Sequence, residues 1–349
     1  ANYEAGKKYP TLTYIYEKLS QGLNVYPQPN ATRYANPAVY TSRGYAFLQP
    51  DITYKLDDPG RSAVACVVPA VKAAIATGIV DPARVGLQGH SWGGYQTTFI
   101  TTQTDIFKTA IAGAPLTDMV SMFSSVYWNS GTANQGIFIS SQGRFSDSYA
   151  RNPDPYIRNS PNRFANNLKI PFMILHNDRD GAVDFNQGIT YYNTLRELGK
   201  DVVLLEYVGE NHGLARATNQ KDYAVRMQEW FDTFLRDQPA PDWLKNGVPR
   251  LQMEQHLKDR KPLVDPTEMI ELPGTPGQGT REAPREFLSH IIHQRLDEVL
   301  RNVGREIERA GYLGKLASGV VLTGGTAQLA GLVELAREVL AMPVRLGVP

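Results

Sequence analysis

The chain has 349 residues, of which 42% are hydrophobic and 20% charged; this is the balance of a globular protein of about two domains and not of a disordered chain. Its 36 Lys and Arg stand against 35 Asp and Glu, a formal charge of +1, so it has no global basic field of the kind that polyanion binding exploits, and no nucleic acid partner is expected. The single cysteine, Cys66, cannot form an internal disulfide and is too little for a thiolate metal site.

The sequence enters a strand-like run almost at once, and with no initiator Met and no apolar signal core in its first eight residues it reads as a processed or truncated product. Up to about residue 235 short β-rich runs alternate with helical stretches. Strands are expected over residues 12–16, 45–49, 85–88, 109–112, 172–176 and 202–207, and helices over 62–76, 94–102, 186–198 and 220–235. This alternation implies a largely parallel sheet covered by helices. Pro69 falls inside the first helix, which predicts a kink or a late start. Residues 24–36 and 127–161, rich in Asn, Ser, Gly and Pro, read as long surface excursions. No run approaches the ~20 apolar residues of a spanning helix, so no membrane span is expected.

The texture changes after Gln238-Pro239-Ala240-Pro241. A charged stretch to Arg260 leads into the low-complexity passage at residues 271–279, which reads as a linker and domain boundary. Beyond it Phe287, Leu288, Ile291, Ile292, Leu296, Val299, Leu300, Val303 and Ile307 recur at helical spacing, with Gly311 placed to end that helix. A strand at 320–323, a Gly-Gly turn, a helix at 332–340 and a strand start at 343–346 follow.

The strongest chemical signal is Gly89-His90-Ser91-Trp92-Gly93-Gly94-Tyr95, between an expected strand and an expected helix. This is the G-x-S-x-G nucleophile elbow in the context it requires. Gly89 and Gly93 leave room for strand and helix to pass closely, Ser91 is projected from the turn, and the Trp92 backbone N–H at the helix start can stabilise an oxyanion. A serine hydroxyl needs a base, and an acid and a histidine follow in the order Ser, Asp, His. Asp178, Asp180 and Asp184 lie in the loop after the strand that ends at His176, and His212 lies in Gly209-Glu210-Asn211-His212-Gly213 after the last strand. Spacing alone does not separate the three carboxylates. His90 reads as packing or support, His176 as a locally satisfied buried residue, and Glu210 as either a group for a substrate amine or a solvated carboxylate. His256, His290 and His293 lack a ligand cluster, so no metal and no cofactor are expected.

These motifs resemble the catalytic domain of the prolyl oligopeptidase family of serine peptidases, especially its dipeptidyl-peptidase and acylaminoacyl-peptidase branch. The resemblance rests on the elbow, on His176-x-x-x-Asp180-x-x-Val183 and on Glu210-Asn211-His212-Gly213, and covers residues 9–235 approximately. It implies an α/β-hydrolase fold, a mostly parallel sheet with helices on both faces, and a peptide substrate cleaved by Ser91, Asp180 and His212. By the family pattern Asp180 is the triad acid, Tyr16 the second oxyanion donor beside Trp92, and Tyr127 a lining residue of the substrate pocket. Members also carry an N-terminal β-propeller and further edge strands, and neither is expected within these residues. An esterase on the same fold is the nearest enzymatic rival.

From about residue 268 the resemblance is to a different family, the bacterial cell-division actin homologue FtsA, carried by Gly319-Val320-Val321-Leu322-Thr323-Gly324-Gly325-Thr326 and the amphipathic helix before it. It implies that Gly324 and Gly325 form an adenosine-side turn. Neither phosphate-binding hairpin of an actin-like ATPase accompanies that turn, so autonomous nucleotide binding is not expected. The expected organisation is a hydrolase domain at 1–262, a junction at 263–282 and a partial actin-like α/β subdomain at 283–349. The alternatives are a nucleotide-binding cell-division protein, or a composite of two fragments joined near residues 263–268.

Overall fold

The computed structural model describes residues 3–31, 34–247, 269–272, 281–312, 315–316, 318–329 and 331–347. It divides into two compact units, residues 1–247 and 248–349.

In the first unit, β1 (Tyr9–Ile15), α1 (Pro37–Ser42), β2 (Ala46–Leu48), α2 (Pro59–Ala76), β3 (Val80–His90), α3 (Trp92–Thr101) and β4 (Thr109–Gly113) follow in order. An excursion then carries α4 (Met119–Phe123), the short antiparallel pair β5 (Val126–Tyr127) and β6 (Thr132–Ala133), α5 (Gln135–Ile139) and α6 (Asp154–Arg158). The chain returns to the sheet through β7 (Phe172–Leu175), α7 (Phe185–Glu197), β8 (Val202–Leu205), α8 (Ala217–Arg236) and the short α9 (Asp242–Asn246). Six strands form one sheet in the order β2-β1-β3-β4-β7-β8, and every pairing in it is parallel.

A parallel sheet must be covered on both faces, because its crossovers put helices there. The period-two alternation of the strands does this residue by residue. Val85, Leu87, Ala110, Ala112, Phe172 and Ile174 pack with Ala63, Val67 and Val71 of α2 and Tyr191 and Leu195 of α7. Their alternates Leu12, Ile111, Met173 and Leu175 pack with Tyr223, Met227, Trp230, Phe231 and Leu235 of α8. Gly86 belongs to this second face, where a Cβ would stand 2.9 Å from both Phe231 and Leu235.

Three expectations change. The first helix starts early instead of late: α2 begins at Pro59, in the first turn where a missing N–H costs nothing, and Pro69 lies on the exposed side. Among the described residues α2 is also the one helix long and apolar enough to cross a membrane, a length the sequence reading had not assigned. Its buried stripe is a face of the sheet core, as in a helix of a globular domain. Thirdly, residues 127–161 are not merely surface. Phe138, Phe145 and Tyr156 are buried in a cluster with Trp92, Tyr95, Phe99 and Phe123, and the Phe145 and Tyr156 rings stack 4.2 Å apart. The polar composition of this segment serves its turns, while widely spaced aromatics supply its core.

In the second unit β9 (Met269–Leu272) and β10 (Arg281–Pro284) pair antiparallel, so the described residues of the expected junction are strand; residues 248–268, His256 among them, and 273–280 lie outside the described residues. Then come α10 (Arg285–Arg309), β11 (Val320–Leu322), α11 (Leu332–Leu340) and β12 (Val344–Leu346). The last two strands pair in parallel around α11, and Leu300, Leu332, Ala336, Leu340 and Val344 form a small core. Gly311 takes a left-handed φ of 74° just past α10, the C-terminal signal expected of it.

The first unit makes a direct stability prediction. Trp230 is fully buried and its indole N–H donates to Thr109 Oγ1 at 2.8 Å. Trp230→Ala is expected to cost about 3–5 kcal/mol, read as a lowered urea midpoint by far-UV circular dichroism, with Trp230→Phe costing less.

Candidate active site

The site begins with a steric constraint where α3 leaves β3. A Cβ on Gly89 would lie 2.3 Å from the Gly93 carbonyl oxygen, one on Gly93 2.4 Å from that of Ile15, and one on Gly94 2.3 Å from that of Gly113. Three glycines thus let the first turn of α3 lie directly against β1, β3 and β4. Ser91 forms the corner with φ 59° and ψ −121°, a conformation that costs a non-glycine residue on the order of 1–3 kcal/mol. The Ser91 N–H donates to the Gly113 carbonyl at 2.8 Å and its own carbonyl accepts from Tyr95 N–H at 2.9 Å. All ten residues of α3 are buried, so surrounding packing holds the corner in place.

His212 comes from the loop after β8, and its imidazole bridges two groups. Ser91 Oγ–H donates to His212 Nε2 at 2.7 Å; His212 Nδ1–H donates to the Asp180 carboxylate, 2.9 Å from each oxygen. The carboxylate thereby selects the tautomer whose Nε2 is free to accept a proton. His90, from the elbow itself, donates Nε2–H to the backbone carbonyl of His212 at 2.7 Å. It thus ties the His212 loop to the Ser91 turn, a more definite role than packing.

Of the three carboxylates, Asp180 is the one that meets the His212 ring. Its side chain is fully buried, and Oδ1 accepts the N–H groups of Ala182 and Val183 at 2.9 Å each. His176 Nε2, bonded to the Val183 carbonyl at 3.0 Å, lies 3.3 Å from Asp180 Oδ2. Burial opposes ionisation of Asp180, but the hydrogen bonds from His176 and His212 outweigh it and hold its carboxyl well below the usual carboxylate range. The other two carboxylates do structural work: Asp178 accepts Gly209 N–H at 2.6 Å, and Asp184 caps α7 through Asn186 N–H at 3.2 Å.

Asparagines that the sequence reading passed over hold these loops together. Asn211 Oδ1 accepts from the N–H groups of Gly181, at 2.9 Å, and His212, at 2.6 Å, while its amide donates to Asn129 Oδ1 at 2.8 Å. Asn177 donates to the Asn211 carbonyl at 2.8 Å. Their available signal was position, since each lies in or beside a loop at the C-terminal edge of the sheet. Glu210 is neither solvated nor open to a substrate amine. It is buried, and its carboxylate accepts Ala215 N–H, Arg216 N–H and the Asn219 amide at 2.7, 3.2 and 2.5 Å, locking the His212 loop onto the start of α8.

Of the remaining expected residues, Trp92 opens α3, where first-turn N–H groups have no acceptor within the helix. Tyr16 lies against the elbow, its ring 3.3 Å from where a Gly93 Cβ would stand, and its hydroxyl accepts from Gln142 Nε2–H at 2.9 Å. Tyr127 lies on the β5–β6 hairpin, which reaches the Asp180 loop through Asn129 N–H donating to the Gly181 carbonyl at 2.9 Å. In the second unit Gly324 has φ 93°, and a Cβ on Gly324 or Gly325 would meet nothing within 4 Å.

A parallel sheet with this strand order, a serine on a strained strand-to-helix corner and loops converging at the C-terminal edge define an α/β-hydrolase fold. The model of the prolyl oligopeptidase family matches residues 56–238, more than half of the chain, and the chain belongs to that family. An uncharacterized peptidase of Bacillus subtilis, YuxL, is 28% identical over 159 residues, 45% of this chain and 23% of the relative. The cell division protein FtsA of Pseudomonas aeruginosa is 44% identical over 82 residues, 24% of this chain and 20% of that protein. The chain thus spans under a quarter of the length of these curated relatives. Among solved structures, the acylaminoacyl peptidase of Pyrococcus horikoshii superposes with a TM-score of 0.56 at 17% identity, over 71% of this chain and 40% of that one, a likeness of fold.

Two expectations follow from the geometry. Gly93→Ala places a methyl against the Ile15 carbonyl, so the corner must shift; Ser91 reactivity is expected to fall at least about tenfold together with a stability loss of about 1–3 kcal/mol, checked by denaturant titration and active-serine labelling. Asp180 is depressed from its ordinary 3.8, so its contribution to stability is present above that value and is lost as pH falls through the lower folded value. Asp180→Asn should therefore flatten the acid limb of the stability–pH curve below about pH 4, and an unchanged limb would refute the assignment.

Proposed function

We propose that the first unit is a serine peptidase domain that cleaves peptide bonds through an acyl-enzyme, using Ser91, His212 and Asp180. The carrying observation is the chain of short hydrogen bonds from Ser91 Oγ through the His212 ring to Asp180, built on the corner that exposes the serine. As substrate binds, Ser91 Oγ attacks the carbonyl carbon while His212 Nε2 takes the hydroxyl proton, a transfer worth ~10²–10⁴ in rate. The negative charge that develops on the carbonyl oxygen is met by Trp92 N–H and by the Tyr16 hydroxyl. His212 Nε2–H then protonates the leaving amine, the C–N bond breaks, and the acyl group stays on Ser91. A water repeats the sequence with His212 again as base, restoring Ser91 and releasing the acid. His212 is 21% exposed, enough for water to reach the base. Asp180 stays ionised throughout and stabilises the imidazolium. Tyr127, on the neighbouring hairpin, is assigned to the wall of the pocket for the residue before the scissile bond. The family membership favours peptide over ester substrates.

We assign residues 1–262 to this domain, 263–282 to a junction and 283–349 to part of an actin-like, FtsA-like subdomain. The 44% identity over 82 residues to FtsA and the parallel β11–α11–β12 unit favour that second assignment. No activity is assigned to it, and titration with ATP is expected to give no binding.

The peptidase reading is tested by a fluorophosphonate probe on the intact chain. Labelling is expected in the parent protein and absent in Ser91→Ala, with His212→Ala slowing it by about 10³-fold or more; equal labelling of Ser91→Ala would sink the reading. Aminoacyl-peptide amides are expected to turn over better than short acyl esters of matched size once each rate is divided by its uncatalysed rate.

A further inference from the structure

Between α5 and α6 the chain turns back onto the end of β1. The turn is tightly held. A Cβ on Gly143 would lie 2.6 Å from the Phe138 carbonyl oxygen, Phe145 N–H donates to that same carbonyl at 3.0 Å, and Arg144 takes a left-handed φ of 53°. The Arg144 guanidinium lies 4.1 Å over the Tyr54 ring and donates to Glu17 Oε1 at 2.8 Å and to the Gln142 carbonyl at 2.7 Å. Asp57 N–H donates to the Arg144 carbonyl at 3.0 Å. The result is a rigid turn fixed to the residue next to Tyr16, with Gln142 Nε2–H donating to the Tyr16 hydroxyl oxygen at 2.9 Å.

We propose that Gln142 is a positioning residue for the oxyanion site, acting through Tyr16. A phenol oxygen has one proton to donate and two lone pairs. The Gln142 amide occupies a lone pair, so it fixes the hydroxyl in place and leaves the proton to point elsewhere. Donation into the oxygen also polarises the O–H, which makes Tyr16 a stronger donor to a developing oxyanion. Gln142 is far from Ser91 in sequence and belongs to an excursion outside the sheet, yet it holds the hydroxyl of a residue whose ring packs on the elbow. This inference rests on Tyr16 serving as the second oxyanion donor.

The test measures the second-order rate of fluorophosphonate labelling at Ser91 in the intact chain, because the phosphonyl oxygen occupies the oxyanion site. Tyr16→Phe is expected to slow labelling by about 10²-fold, and Gln142→Met, which keeps volume but has no N–H, by about 5–20-fold. In the Tyr16→Phe background Gln142→Met should add nothing, the coupling expected of a residue that acts only through the hydroxyl. Gln142→Glu should be slower than Gln142→Met, since a carboxylate only accepts and draws the Tyr16 proton to itself; a purely structural role would favour the near-isosteric Glu. Tyr16→Phe labelling at the parent rate overturns the reading of Tyr16 and this inference with it. Slow Tyr16→Phe with parental Gln142→Met overturns the inference alone, as does a double variant whose losses multiply. Should Gln142→Met fail to fold, parental labelling by Gln142→Glu overturns it equally.

Discussion

The close approach of one helix end to three strands is the constraint on which the rest of the first unit depends. Gly89, Gly93 and Gly94 have no side chain because carbonyl oxygens already occupy the places where Cβ atoms would go. That contact forces Ser91 into a left-handed corner, and the corner gives the hydroxyl its exposure at the end of the sheet. Strain of this kind persists only where the surroundings over-determine it. Here the surroundings are a wholly buried α3 wedged between the sheet and an aromatic cluster that the 127–161 excursion completes.

Around this fixed point the fold concentrates charge where it can be held. Asp180 is buried and ionised because N–H donors from two backbone groups and two imidazoles converge on it. Glu210, two residues before His212, is buried under the same rule with three donors of its own. Each carboxylate fastens a different side of the site: Asp180 orients the imidazole, and Glu210 fixes the loop that carries it. Neighbouring groups of similar chemistry thus divide chemical and architectural work according to which donors face them.

Much of this was legible in the sequence, for definite reasons. Strands buried on both faces read as apolar runs, and the elbow's glycines sit at fixed offsets from Ser91. The order Ser91, Asp180, His212 follows the chain, and the fold brings the three together at the C-terminal edge of the sheet. Asp180 was separable from Asp178 and Asp184 only by family pattern, because what distinguishes them is which N–H groups each meets. Glu210 was misread since a polar loop residue beside a histidine carries no sign of its burial. The excursion was misread for its Asn, Ser and Gly content; its buried rings at 138, 145 and 156 follow no helical or strand period. The Gln142–Tyr16 contact spans 126 positions, and no local pattern reports a contact at that separation.

The hydrogen bond from His90 to the His212 carbonyl has a mechanical consequence. Ser91 and His90 are adjacent in the chain, and each is bonded to His212, one to its ring and the other to its backbone. Ser91 and His212 therefore sit in one small closed loop of covalent and hydrogen bonds. Drawing the His212 loop away from the corner means breaking both bonds, so the Ser91–His212 separation is held through the backbone of that loop as well as through its ring.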